Sequence, residues 1–273
     1  MADSAPRFSS RFTFLISALG IAVGTGNIWR FPRIVATNGS ENGAGSFLVA
    51  WIMFLFLWSI PLIIAEYVLG RQSRKGTVGA FAHFMGKPFA FLGGFVGFVS
   101  TAIAFYYSVV VGWNIYYFGS MTFNALPNTT ETSWEIWNNF QNGSFPILFH
   151  AIAMSVGGFA IYKGVSSIEK VNRILIPTLL VIVLISVVRA LMLPGSMAGI
   201  SYLFTPDWAQ LKEPRIWLEA LTQNAWDTGA GWGLFLTYAI YIKKRYGVIK
   251  NAFTVAIGNN LVSLMAAIMI FST

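Results

Sequence analysis

Seven stretches of this chain are apolar over about 20 residues or close to it, the length a helix needs to cross the hydrocarbon core of a bilayer. They cover roughly 12–36, 46–69, 89–121, 146–163, 168–192, 214–242 and 248–272, the fourth being the shortest. Such segments satisfy their backbone N–H and C=O groups internally, as helices or as a closed barrel. Ten-residue stretches alternating apolar with polar, the barrel signature, are absent. The chain therefore reads as an all-α polytopic membrane protein. Its composition agrees: 56% of residues are hydrophobic and 10% charged, against about 25% charged in a soluble domain. The polar stretch from Met1 to Ser10 and the long apolar run after it do not have the form of a cleaved leader.

Lysine and arginine collect on the cytoplasmic side of membrane proteins. With the N-terminus inside, the inner segments hold Arg7, Arg11, Arg71, Arg74, Lys75, Lys87, Lys163, Lys170, Arg173, Lys243, Lys244, Arg245 and Lys250. The outer ends hold Arg30, Arg33, Arg189, Lys212 and Arg215. Residues 123–145 contain neither Lys nor Arg and read as an extracellular loop. The expected product is a multi-pass plasma-membrane protein with a cytoplasmic N-terminus. The net charge of +8 is then this bias, and no nucleic-acid partner is needed to explain it. With no cysteine there are no disulfides and no thiolate metal sites. His83 and His150 stand apart near helix ends and read as structural. Paired catalytic carboxylates, a nucleophile–base set and a P-loop are missing, so the chain is not read as an enzyme.

Two spans are built to break. The first contains GIAVGTGNIWRFP, from Gly20 to Pro32; the sixth contains Asp227 followed by Gly229, Gly231 and Gly233. Each mid-helix glycine costs roughly 1 kcal/mol relative to alanine. In this topology the two spans run antiparallel and are interrupted at the same depth. Paired interruptions of this kind mark inverted-repeat transporters, whose substrate sits between two discontinuous helices. Freed carbonyls can ligate a small cation, and a half-helix N-terminus attracts an anion. Close packing through Gly20-xxx-Gly24 is the alternative use of these glycines.

The motifs AVGTGNIWRFP, NGAGSFLVAW, IPLIIAEYVLGR, AFYYSVVVGWN, IPTLLVIVLISVVRALML, TPDWAQLKEPRIWLEAL and GAGWGLFLTYAIY, in this order, resemble the neurotransmitter:sodium symporters, within them the bacterial amino-acid transporters. The resemblance runs along the whole chain and implies sodium-coupled amino-acid uptake by alternating access, with sodium co-transported and no organic cofactor. It implies sodium-ligating carbonyls at Gly20 and Val23. A second sodium would take the Ala22 carbonyl and the Asn27 side chain, with Asp227 and Asn259. A substrate carboxylate would be held by amides near Thr25 and Gly26 and by the Tyr107 hydroxyl. Gly24 stands where amine-transporting members carry an aspartate. Trp226, Gly229 and Trp232 would wall the pocket, and Arg30 would belong to an external gate. Glu66 would brace the unwound segments, or else reach the cytoplasmic interface beside Arg71.

The chain also departs from the family. Asp227 replaces a serine or threonine; Gln223, Asn259 and Ser263 resemble sodium- and chloride-site positions, while Trp51 replaces a chloride-binding tyrosine. This suggests that Asp227 supplies the negative charge chloride supplies elsewhere, or caps the unwound span. Ser167 stands ten residues before Pro177, where members often have glycine. The sequence stops after seven of the family's eleven or twelve spans, which reads as an N-terminal fragment or truncated product. A non-transporting membrane protein that binds a partner or acts as a receptor is the competing reading.

Overall fold

The computed structural model describes residues 6–243 and 245–273. Lys244, counted above among the inner cations, and the first five residues of the polar start lie outside the described residues. All regular structure among the described residues is helical.

The first span opens at Ser10. Its hydroxyl accepts from the Thr13 amide at 3.1 Å while the Thr13 hydroxyl accepts from the Ser10 amide at 3.1 Å, a reciprocal capping box. The helix Arg11–Ala22 then stops, and the chain resumes as a π-helical turn Gly26–Arg30 leading into Phe31–Thr37. The two halves are bent by 53°. The second span contains a similar wide turn, Leu55–Ser59, between Gly45–Phe54 and Ile60–Ser73. Both wide turns end two residues before a proline, Pro32 and Pro61. A helical proline has no N–H and its ring pushes away the carbonyl four residues back, so the ladder loosens just upstream.

The third span is Ala90–Phe123, the fourth Phe145–Ile161, the fifth Val165–Leu191 and the seventh Val248–Phe271. The expected outer loop over 123–145 is partly ordered as a helix, Thr130–Gln141, capped by the Thr129 hydroxyl and bent 71° from the fourth span. The fifth span runs unbroken past Ser167 with Pro177 inside it. The sixth stretch, expected over 214–242, divides into Pro214–Thr228 and Leu234–Ala239. Between them Gly229, Gly231 and Gly233 have φ of +63°, +92° and +75°, a region glycine enters without a Cβ penalty.

By length and composition, four helices among the described residues can cross a membrane, or six if each bent pair counts as one span. The divided sixth stretch is not among them. Two apolar clusters hold the first, second, sixth and seventh spans together. One gathers Phe8, Phe14, Tyr67 and Phe235, the other Phe31, Phe47, Trp51 and Ile216. The first cluster uses the Arg11–Ala22 half of the first span and the second cluster the Phe31–Thr37 half. The polar residues of the break fall between them.

Candidate functional site between the two broken spans

At the end of Arg11–Ala22, the chain's amides turn away from the helix. The Val23 amide still reaches Leu19 O, at 2.7 Å. The Gly24 amide instead donates to Asn27 Oδ1 at 2.7 Å, and the Thr25 amide to the Tyr107 hydroxyl at 3.0 Å. The carbonyls of Gly20 and Ile21 thus lose the i+4 donors that a continued helix would supply.

The broken first span is tied to the seventh and sixth by one buried chain of polar groups. Asn27 Nδ2 donates to Asn259 Oδ1 and to Ser263 Oγ, both at 2.8 Å. Ser263 Oγ donates to Asp227 Oδ2 at 3.0 Å, and Gln223 Nε2 donates to Asp227 Oδ1 at 2.6 Å. Arg30 in turn donates to Gln223 Oε1 and stands 5.7 Å above the Trp226 ring. Asp227 is 2% exposed. A carboxylate at such depth is costly unless partnered, and both of its oxygens are. The spacing Gln223–Asp227 is i, i+4 on one helix, and Asn259–Ser263 repeats it, which places each pair on a single face.

Asp227 and Trp226 border a cavity of about 280 Å³ shared by the two breaks; Asn27, Arg30, Gln223, Asn259 and Ser263 lie outside its lining, as do Thr25 and Gly229. Its lining includes Gly20, Ala22, Val23, Gly24, Gly26, Tyr107, Trp226, Asp227 and Trp232. Gly26 leaves room for the acid: a Cβ there would lie 3.2 Å from Asp227 Oδ1. A Cβ at Gly24 would lie 2.6 Å from the Tyr107 hydroxyl. Trp226 and Trp232 meet edge to face, ring centres 5.4 Å apart, and a Cβ added at Gly229 would lie 3.9 Å from Trp232, in ordinary contact. A larger recess of about 530 Å³ lies between the C-terminal ends of the first and seventh spans, around Trp29, Arg33 and Phe271. It gathers no convergent polar groups apart from Arg33.

Glu66 braces the sixth span. Its Oε1 accepts from the Gly231 amide at 2.6 Å and its Oε2 from the Leu236 amide at 3.0 Å. At 6% exposure it does not reach the interface; Arg71 donates to Tyr246 O instead. Trp51 packs on Phe31, ring centres 4.4 Å apart. Its indole N–H finds no partner among the described residues, so it does not serve Asp227. His150 shares a hydrogen bond with Ser108 at 3.0 Å, and His83 packs on Phe84.

Sequence reasoning missed several residues. Ser100, Ile103, Ala104 and Leu234 also line the cavity. The first three stand at i, i+3 and i+4 and share a helix face with Tyr107, so periodicity alone could have found them. Asn224, fully buried, donates to Trp51 O and accepts from Ser59 Oγ at 3.3 Å, while Thr228 Oγ1 donates to Ser59 Oγ at 3.1 Å. This clasp joins the wide turn of the second span to the Pro214–Thr228 helix of the sixth.

The chain matches the model of the sodium:neurotransmitter symporter family over residues 5–144 and 143–273. An uncharacterised sodium-dependent transporter of Methanocaldococcus jannaschii is 31% identical over 276 residues, 97% of this chain and 55% of that protein. The sodium-dependent neutral amino acid transporter B(0)AT2 of Pongo abelii is 28% identical over 306 residues, 99% of this chain and 40% of that protein. The crystal structure of MhsT in complex with L-phenylalanine superposes with a TM-score of 0.85 at 31% identity. That likeness covers 98% of this chain and 61% of MhsT. The chain thus spans between 40% and 61% of the length of these proteins.

Proposed function

Because the chain belongs to the sodium:neurotransmitter symporter family, we propose that its two broken spans bind an amino acid together with sodium, for sodium-coupled uptake by alternating access. The observation that carries this reading is the shared cavity, where the interrupted backbone, the Tyr107 hydroxyl and the buried Asp227 carboxylate converge. The names of the relatives as sodium-dependent transporters, and of some as neutral amino acid transporters, support it. The setting is a multi-pass membrane protein with its N-terminus in the cytoplasm of the cell.

The coupling follows from charge. Asp227 Oδ1 lies against Gly26, where the amides near Thr25 and Gly26 would receive a substrate carboxylate. Two like charges about 4 Å apart interact by about 4 kcal/mol at an effective dielectric of 20. A sodium ion between them turns that repulsion into two attractions, so the amino acid binds well only with the ion. Hard cations take oxygen ligands; Ala22 O, Asn27 Oδ1, Asn259 Oδ1 and Asp227 supply them for this sodium. Asn27 Oδ1 offers it the second lone pair, the first accepting from the Gly24 amide. Gly20 and Val23 carbonyls serve a second sodium. The substrate carboxylate displaces the Tyr107 hydroxyl from the Thr25 amide and takes its proton as a hydrogen bond. Trp226, Trp232 and Gly229 wall the side chain, and Arg30 closes over it through Gln223.

Asp227 also makes chloride unnecessary, since the fixed negative charge is already in place and hydrogen-bonded on both oxygens. Uptake into proteoliposomes, with sodium, chloride and proton gradients imposed one at a time, tests the proposal on the chain and on the chain continued to its relatives' length. A sodium gradient should drive uptake whether or not chloride is present. Saturable amino-acid binding without uptake at either length would favour a receptor instead.

A further inference from the structure

The fifth span presses a polar side chain against the first break. An added Cβ at Gly20 would lie 3.1 Å from Asn172 Oδ1 and 3.2 Å from its Cγ, so the amide sits directly on the glycine. Asn172 also neighbours the Tyr238 hydroxyl of the sixth span. One turn below, Glu169 Oε1 accepts from the Ser9 amide at 2.7 Å and the Thr13 hydroxyl at 2.5 Å. Thr13, Ser17 and Gly20 lie along one face of the first helix by their spacing. Ser17, fully buried between those two levels, has a hydroxyl with no partner among the described residues.

We propose that Asn172 is a further ligand of the cation held at the Gly20 and Val23 carbonyls, adding a side-chain oxygen from the fifth span. The inference rests on the sodium reading above. The Gly20 carbonyl lacks its helical donor because the Gly24 amide is engaged by Asn27. An oxygen 3.1 Å from the Cβ position of Gly20 brings a hard ligand to the residue whose carbonyl is free, and an amide does so without adding charge to the seam. Glycine at position 20 is then required by the approach of Asn172 as well as by the break.

Equilibrium binding of radioactive sodium to the purified full chain reads this directly, without any amino acid present. Asn172→Ala should raise the half-saturating sodium concentration about tenfold, which corresponds to ~1.4 kcal/mol. Asn172→Asp keeps the oxygen and should bind at least as tightly as the parent. Tyr238→Phe removes only the neighbouring hydroxyl and should stay within about twofold. If Tyr238→Phe weakens sodium as much as Asn172→Ala does, Asn172 acts only by holding Tyr238 and the proposal is overturned. Unchanged binding in a folded Asn172→Ala also overturns it, while the sodium reading survives. Absence of saturable sodium binding in the unmodified chain overturns both.

Discussion

Gln223 stands between Arg30 and Asp227, accepting from the guanidinium through Oε1 and donating to the carboxylate at 2.6 Å through Nε2. The cation and the acid are therefore linked through an amide that keeps them in register. Because Gln223 and Asp227 are four residues apart on one helix, a movement of the Pro214–Thr228 helix carries the Arg30 contact and the acid together.

Replacing Asp227 separates its charge from its shape. Asp227→Ala removes the acceptor of two buried hydrogen bonds, each worth about 1.5–3 kcal/mol when one partner is charged. Sodium-dependent amino-acid binding should weaken by about 10–150-fold, read from the displacement of a tritiated amino acid. Asp227→Ser should restore binding in chloride but not in gluconate, whereas the parent should ignore the exchange.

Gly24 and Tyr107 should behave as one unit. Gly24→Ala drives a methyl group to 2.6 Å from the phenol oxygen, an overpacking that costs about 1–3 kcal/mol. In a Tyr107→Phe background the same change has no hydroxyl to strike. A double-mutant cycle on thermal stability should therefore show less than additive loss.

Glu66→Gln keeps one carbonyl oxygen for two amides, at Gly231 and Leu236. One of them is left unsatisfied in the buried break, at about 1–3 kcal/mol. The unfolding temperature in detergent should fall, and Glu66→Ala should lower it further.

Glu169→Ala releases Ser9 and Thr13, freeing the N-terminal end of the first span from the fifth. The chain lacks cysteine, so Ser17→Cys provides a single buried reporter. Its alkylation by a maleimide should speed up by about 10–150-fold in Glu169→Ala if opening is governed by these hydrogen bonds.

The two breaks were legible because glycine, asparagine and aspartate inside apolar runs contradict an uninterrupted helix. Gln223 was legible from its spacing to Asp227, while Asn259 and Ser263 were legible through the family resemblance, with helical spacing placing them on one face. The bracing by Glu66 took a choice between two partners that only the fold could make. The wide turn at Leu55–Ser59 was hidden: π-helical turns have no composition of their own, and Pro61 as readily marks a simple kink. Asn172 and Glu169 were hidden for another reason. Their partners Gly20, Ser9 and Thr13 lie about 150–160 residues away in sequence, and no local pattern pairs a fifth span with a first. Asn224 and Thr228 were overshadowed by Asp227 between them, although they point to the second span and not to the cavity.

The most direct measurement is equilibrium binding of tritiated L-phenylalanine, the ligand in the MhsT structure, and of other neutral amino acids to the purified chain. It is made in sodium chloride, sodium gluconate and choline chloride. The account predicts saturable binding in both sodium salts, equal affinity in chloride and gluconate, and loss in choline. Equal binding in choline and sodium would contradict it, and so would binding that needs chloride.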